Sequence, residues 1–378
     1  MNIVFLSHEY PLWATGGAGT FLQTFGRALV AAGHKVTVLG VGKVEEEVRM
    51  EDQGVRLIRL RRNRSIVPNF LYNSRVLNKR LKQLHQEDPI DIIEAAELGL
   101  GIISRKHTAR KVIRLHGGHH FFAEAENRGI NWRKGTLEKA SFSKADGFIA
   151  VSEYVKTHTA KYLSYHGKPV AIINHPIQMG IHTEEKEIRA NRILFAGTVC
   201  EKKGVRQLIE AFGMVKIKHP QMILDLYGRD WFYPDGSSYI EMLRTNFTEK
   251  ELENIIFHGP VDRDMLNEKY AEAAFCVFPS HMETQGLVSL EAMLVGKPVI
   301  FSKYGPGPET IEHGETGLLC DVYDPKDIAE KMNWCIEHPM EAKELGDRAQ
   351  IHVRTKYDPT TILNKNLEFY DKLLKTTK

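Results

Sequence analysis

Phe275-Cys276-Val277-Phe278-Pro279-Ser280-His281-Met282-Glu283-Thr284-Gln285-Gly286-Leu287-Val288-Ser289-Leu290-Glu291-Ala292-Met293 is the stretch whose reading decides the fold. Phe275 to Phe278 is a short apolar run of strand type. From Gly286 to Val295 the spacing turns helical, with Leu287, Leu290, Met293 and Leu294 on one side. The segment therefore reads as strand, polar loop, helix. The loop ends in a glycine at the helix start, where free backbone N–H groups point above the sheet. Glu283 stands in the loop, and Glu291 lies about two turns into the helix. Glutamates at this spacing are also ordinary on a solvated helix surface. Beside an anion held by the N–H groups, they would accept from hydroxyls, a reasonable receptor for a sugar carried on a diphosphate.

With 378 residues the chain is long for one core and comfortable for two domains. Its 42% hydrophobic and 26% charged content is that of a soluble globular protein, and a net charge of +3 is too small for a nucleic-acid binder. Cys200, Cys276, Cys320 and Cys335 show no Cys-x-x-Cys pairing, which fits a reducing cytosol better than a disulfide scaffold or a zinc site. Ile3 to Leu6 is too short for a signal peptide, and no stretch approaches a membrane span. A cytoplasmic location is expected, with the inner face of the membrane as the alternative.

Ile3-Val4-Phe5-Leu6 reads as a buried parallel strand because it is continuous rather than alternating. A loop, Thr15-Gly16-Gly17-Ala18-Gly19, and a helix with Phe21, Leu22, Phe25, Leu29 and Val30 on one face follow, then a strand from Lys35 to Leu39. Dinucleotide binding fails two checks here. Leu22 occupies the last glycine position of Gly-x-Gly-x-x-Gly, and the second strand ends at Leu39-Gly40-Val41-Gly42 with no acidic residue for a ribose.

Between residues 55 and 86 nine arginines and lysines, from Arg56 to Lys82, occur with no Asp or Glu. Val67, Phe70, Leu77, Leu81 and Leu84 fall at helical spacing, so the 56–82 segment reads as a basic amphipathic helix. It either packs on the sheet with a solvated basic face or makes peripheral contact with an anionic membrane. Further strands run from Ile90 to Ala95, from Lys111 to Leu115, and from Gly147, where Ser152 is placed to cap a helix. His116, His119 and His120 lie close together, but no pattern of a metal site accompanies them. Glu94 and Glu97 are placed to face a substrate or to cap a helix.

Beyond Val170 to Pro176 a polar run leads to Ile193-Leu194-Phe195-Ala196-Gly197, and Thr198 to Gly204 precedes a helix from Val205. Strand and glycine turn repeat at Ile223 to Asp230 and at Ile255 to Val261. Near the end Leu363, Leu367, Tyr370 and Leu374 share one face of a helix.

Pro-Ser-x-x-Glu-x-x-Gly-Leu-Val-x-x-Glu-Ala-Met resembles the donor-site signature of the retaining family 4 glycosyltransferases, and the resemblance extends over nearly the whole chain. It implies an α/β protein of the GT-B fold, with two Rossmann-like domains facing across an interdomain cleft. Residues 1–174 would bind the acceptor, 175–358 would bind a nucleotide-sugar donor, and 359–378 would form a helix crossing back to the first domain. The implied reaction is metal-independent transfer of a hexose, with retention, from a UDP-, GDP- or ADP-sugar to a saccharide or lipid-linked acceptor in polysaccharide or glycoconjugate biosynthesis. No cofactor beyond the nucleotide-sugar co-substrate is implied.

By the same resemblance, His116, Lys203 and Glu283 would serve catalysis, His116 donating to a sugar hydroxyl. Gly16, Gly17, Thr198, Val261, Gly286, Leu287 and Glu291 would line the donor, Val261 at the base and Glu291 at the ribose. The chain departs from the pattern at two places. Thr198 stands where the family has an arginine on the diphosphate, so its charge would have to come from Arg206, Arg229 or the N-terminal domain. Thr284-Gln285 replaces Gly-Phe beside the sugar. A nucleotide-sugar epimerase, a phosphorylase with a pyridoxal lysine and a non-catalytic sugar-binding module remain as alternatives.

Overall fold

The structure, a computed structural model, describes residues 1–13, 17–125, 129–179 and 187–376. Two compact units divide it: Met1–Pro176 with Pro359–Lys378, and Ile177–Asp358. The boundary expected between 174 and 175 thus falls between Pro176 and Ile177. Packing explains the difference, because buried His175 stacks on His116 with centroids 4.9 Å apart and lies 4.3 Å from Phe21.

In unit 1 the strands are β1 (Asn2–Leu6), β2 (Lys35–Val41), β3 (Val48–Asp52), β4 (Val55–Leu60), β5 (Ile92–Ala95), β6 (Arg110–Leu115), β7 (Gly147–Ala150) and β8 (Val170–Ile172). They form one sheet in the order β3-β4-β2-β1-β5-β6-β7-β8. All neighbours are parallel except the β3–β4 hairpin. Ile3, Val4 and Phe5 are buried, as a strand covered on both faces requires.

Three local expectations need correction. By the family resemblance the strand from Gly147 closes the first sheet and Val170 to Pro176 is a strand leading into the crossing, yet β8 pairs with β7 in the same sheet. The first helix, Gly17–Ala31, begins earlier than the glycine loop implies and takes in Ala18 and Gly19. Helix Asn69–Glu87 buries Leu77, Leu81 and Leu84 as spaced, but Val67 and Phe70 are exposed. Val67 lies ahead of Pro68, which opens the helix, and Phe70 sits in a first turn that the sheet does not cover.

Unit 2 contains β9 (Arg189–Ala196), β10 (Ile223–Tyr227), β11 (Ile255–Gly259), β12 (Ala273–Phe278), β13 (Val299–Ser302) and β14 (Leu318–Cys320). Their order is β11-β10-β9-β12-β13-β14, parallel throughout. This is the doubly wound arrangement, in which strand order reverses between β9 and β12. Ligands of such sheets bind beyond the carboxyl ends of the strands at that switch point.

The terminal helix Pro359–Lys375 belongs to unit 1 and buries Ile362, Asn366, Phe369, Tyr370 and Leu373. Of the four residues that share a face by spacing, Tyr370 is buried, whereas Leu363, Leu367 and Leu374 are more exposed. A buried arginine sets the rotation. Arg114 of β6, 0% exposed, donates to Glu94 Oε1 at 2.6 Å and to Asn366 Oδ1 at 2.6 Å. The Tyr370 hydroxyl donates to Glu94 Oε2 at 2.6 Å. Among the described residues no helix is long and apolar enough to cross a membrane, and all four cysteines are buried free thiols.

Candidate functional site

β9 and β12 are neighbours at the reversal of strand order in unit 2, so the loops that leave them meet. The His281 N–H donates to the Lys202 carbonyl at 2.9 Å. Gly204 has φ 69°, and a Cβ there would collide with the Pro279 carbonyl oxygen. Across this seam Lys203 forms an ion pair with Glu283, whose Oε1 also accepts from Ser280 Oγ at 3.1 Å. Gly286 opens helix Leu287–Leu294 at φ 76°, and a Cβ there would lie 2.5 Å from the Phe301 ring. Only glycine meets both demands. The first N–H groups of that helix, which begins at Leu287, have no acceptor inside it.

Glu291, one face further along, receives Arg263 Nη2 at 3.0 Å. Burial pushes the Glu291 carboxyl up, and Arg263 opposes that rise. Arg263 is the residue the sequence reading missed. It opens helix Arg263–Glu272 behind Asp262, whose side chain accepts from the Met265 N–H at 2.8 Å. The cap is legible in the sequence, but nothing local links it to Glu291. Gln285 is buried, whereas Thr284 beside it is half-buried.

Thr198 is half-buried in the loop after β9. Arg206, one candidate for the missing charge, is already committed: it donates to Glu201 at 2.8 and 3.2 Å and to Glu210 at 2.8 Å. Burial alone would raise the Glu201 carboxyl. Arg206, the Tyr239 hydroxyl at 2.7 Å and Gln207 outweigh it and hold the group near about 2. Arg229 differs. Its carbonyl accepts from the Val199 N–H at 2.9 Å, which seats it next to Thr198. Its side chain is exposed and makes no hydrogen bond or ion pair among the described residues.

Val261 follows β11 and is half-buried. It borders a cavity of about 300 Å³ whose walls also carry Tyr227, His258 and Asp225. Asp225 there accepts from Arg192 at 2.9 Å and pairs with His258 at 2.7 Å. Lys203, Glu283 and Gly286 are not among its lining residues.

In unit 1, Gly16 lies outside the described residues, and Gly17 is exposed at the helix start. His116 follows β6 and is half-buried against His175. Burial, with the charge of Arg114 behind it, lowers its pKa to about 3, so the ring is neutral near pH 7. His119 and His120 go elsewhere: His119 Nε2 accepts from the Asn131 N–H at 2.8 Å, and His120 pairs with Glu138. Among the described residues no group of His, Cys, Asp and Glu could hold a metal ion. Glu97 accepts from the Gly117 N–H at 2.7 Å, and burial, with the nearby Glu138 carboxylate adding to it, lifts its pKa to about 8. Glu94 is spent on Arg114 inside the core. The structure thus unites Lys203, Glu283 and Gly286, puts Glu291 on the helix that Gly286 opens, and sets Val261 in the wall of the neighbouring cavity of unit 2.

A family model described as Glycosyltransferase Family 4 matches residues 15–179, and one described as Glycosyl transferases group 1 matches residues 181–352. Glycogen synthase of Mycobacterium tuberculosis is 23% identical over 413 residues, covering 98% of this chain and 94% of that one. Among solved structures, sucrose-phosphate synthase from Thermosynechococcus elongatus shares 22% identity over 99% of both chains, with a TM-score of 0.82. Anabaena HepE in complex with UDP and glucose shares 20% identity over 98% of this chain and 99% of that one, with a TM-score of 0.78. Matched in both units, one after the other, this chain belongs to the family 4 glycosyltransferases of the GT-B fold.

Proposed function

We propose that the chain is a metal-independent, retaining hexosyltransferase that moves a hexose from a nucleotide diphosphate sugar to a hydroxyl of a saccharide or lipid-linked acceptor, in polysaccharide or glycoconjugate biosynthesis in the cytoplasm. One observation carries the reading: the Lys203–Glu283 pair, beside the helix start at Gly286, at the switch point of unit 2. The Lys203 ammonium has three N–H bonds, and Glu283 is its one acceptor among the described residues. The others are available to phosphate oxygens, together with the N–H groups at Gly286 and Leu287. Arg229 supplies the charge that Thr198 lacks. Glu283 orients the sugar hydroxyls and Glu291 holds the ribose, with Val261 at the base, and Gly16 and Gly17 are assigned to donor binding.

Chemistry follows from that grip. The bond between the anomeric carbon and the phosphate oxygen breaks as positive charge and oriented N–H groups stabilise the departing diphosphate. The acceptor oxygen bonds to the same face of the sugar, and its proton passes to the leaving phosphate. Neutral His116 donates to a sugar hydroxyl. We assign no residue as a covalent nucleophile. Unit 1 binds the saccharide acceptor, free or lipid-linked, and in the lipid-linked case the basic 56–82 segment carries the membrane contact.

HepE, solved with UDP and with UDP-glucose, makes a UDP-sugar the first donor to test. Thermal-shift measurements against UDP-, GDP- and ADP-sugars should show one base raising Tm by several degrees, since ligand at a hundred times its Kd adds about 2.7 kcal/mol. No shift with any of them would end the reading. Thr198 favours one alternative, a non-catalytic nucleotide-sugar module; binding with neither transfer nor hydrolysis over hours would select it.

A further inference from the structure

After β4 the chain passes through eight consecutive exposed residues, Arg64 to Leu71. Four are large and apolar: Ile66 is fully exposed, Phe70 58%, Leu71 49% and Val67 43%. Single exposed apolar side chains are ordinary, but four within six positions form a patch of the kind that marks an interaction site. Polar groups brace the turn that presents them. Asn63 Nδ2 donates to the Val67 carbonyl at 2.6 Å and to Asn69 at 3.0 Å, and Asn63 Oδ1 accepts from the Ser65 N–H at 2.9 Å. The turn is thus held without burying its apolar side chains. Phe70 and Leu71 also wall an open groove of about 510 Å³, whose other apolar walls include Ile102 and Leu137.

Charge decides what covers this surface. From Arg61 to Lys82 there are seven cations and no carboxylate. Arg62 and Arg64 share Glu45, and Arg80 turns inward to Glu47. Arg75, Lys79 and Lys82 are exposed and have no side-chain partner among the described residues. A protein interface has an apolar centre and a rim of mixed polarity. Here the carboxylates at the border, Glu45 and Glu47, are taken up by arginines. Arg75, Lys79 and Lys82 leave an unpaired charge that is positive beside the apolar ridge, which instead fits a surface that is itself apolar inside and anionic outside.

We propose that this face docks unit 1 onto an anionic lipid bilayer. Ile66, Val67, Phe70 and Leu71 enter between the headgroups, and Arg75, Lys79 and Lys82, with Arg61, lie at the phosphates. The ridge leaves the carboxyl end of β4, the same sheet edge from which the Glu97 and His116 loops leave β5 and β6. Docking therefore brings the ligand-binding edge of unit 1 towards the membrane. Its basis is exposure and charge, so it stands independently of the donor assignment.

Flotation of the full chain with phosphatidylcholine vesicles, with and without phosphatidylglycerol, tests it. The chain should float with the anionic vesicles only and be released by high salt. A Phe70→Ser/Leu71→Ser variant and an Arg75→Gln/Lys79→Gln/Lys82→Gln variant should each lose about tenfold or more in binding. Both should keep the wild-type melting curve, because all five side chains are exposed. Equal flotation with neutral vesicles would overturn the proposal, as would unchanged binding by the Phe70/Leu71 variant. Absent flotation combined with a concentration-dependent dimer that Phe70→Ser/Leu71→Ser abolishes would assign the ridge to a second copy of the chain.

Discussion

Lys203 shows how one side chain takes its role from its surroundings. Its ammonium is held by Glu283 over a seam that only glycine at 204 permits, so it is positioned before any anion arrives. Lys203→Ala should lower kcat/KM at least about 30-fold, roughly 2 kcal/mol of transition-state stabilisation, with Tm little changed. Steady-state kinetics with the donor picked out by thermal shift decide it; a loss under threefold removes the residue from the mechanism. Glu97 makes a pH prediction. Folded, it keeps its proton to about pH 8, whereas the unfolded chain loses it near 4.5. Between those values the folded state binds more protons, so the stabilisation is full below about 4.5 and is lost as pH rises through 8. Glu97→Gln, which keeps an acceptor for the Gly117 N–H, should flatten that decline. From pH 5 to 8 the unit 1 transition of the wild type should fall by at least about 3 °C more than that of the variant, near 1 kcal/mol for a unit of this size. Parallel pH curves would refute the buried, protonated Glu97.

At the scale of elements, the strand–loop–helix run from Phe275 to Leu294 was legible because its signals are local. Apolar run, glycine and helical spacing all lie within twenty residues of one another, and helix Leu287–Leu294 starts where they say. In the terminal helix, spacing groups Tyr370 with Leu363, Leu367 and Leu374, and of these four Tyr370 alone is fully buried. The helix turns Asn366 and Tyr370 inward to reach Arg114, a partner 252 and 256 positions away. A buried arginine left without its carboxylate is strongly destabilising. Glu94→Ala should therefore cost about 3–5 kcal/mol, seen as a lower urea midpoint for unit 1. Replacing Arg114 and Glu94 together by apolar residues of similar volume should recover much of that loss, and a strictly additive double mutant would argue against a coupled pair.

For the molecule as a whole, the chain leaves unit 1 at Pro176, builds unit 2, and returns at Pro359. Unit 1 is therefore discontinuous in sequence and depends on its last helix: Phe369 and Leu373 close over Gly147 of β7, where a Cβ would meet them at about 2.9–3.0 Å. Deleting residues 359–376 should lower or abolish the unit 1 transition and leave unit 2 in place. Hydrogen exchange would show it as lost protection in β5 to β7 with β9 to β13 still protected. Equal loss in both sheets would mean that the units do not fold as separate cores.

The family resemblance supplied the two Rossmann-like domains. By itself the sequence determined that strand-type apolar runs alternate with helical spacing in both halves of the chain, and it placed Lys203, Glu283 and Gly286 in loops that leave such runs. Those properties follow from hydrophobic spacing and from glycines at turns, which act between near neighbours in the chain. Tertiary structure alone decided which charges meet: Lys203 with Glu283, Arg263 with Glu291, Arg206 with Glu201, and Arg229 with no partner among the described residues. It also decided that Val67 and Phe70 face outward, although their spacing matches the buried leucines after them. The reason is common to these cases. Whether a charge is paired or an apolar side chain is covered depends on the elements that pack beside it, and strand order sets those neighbours across scores of residues.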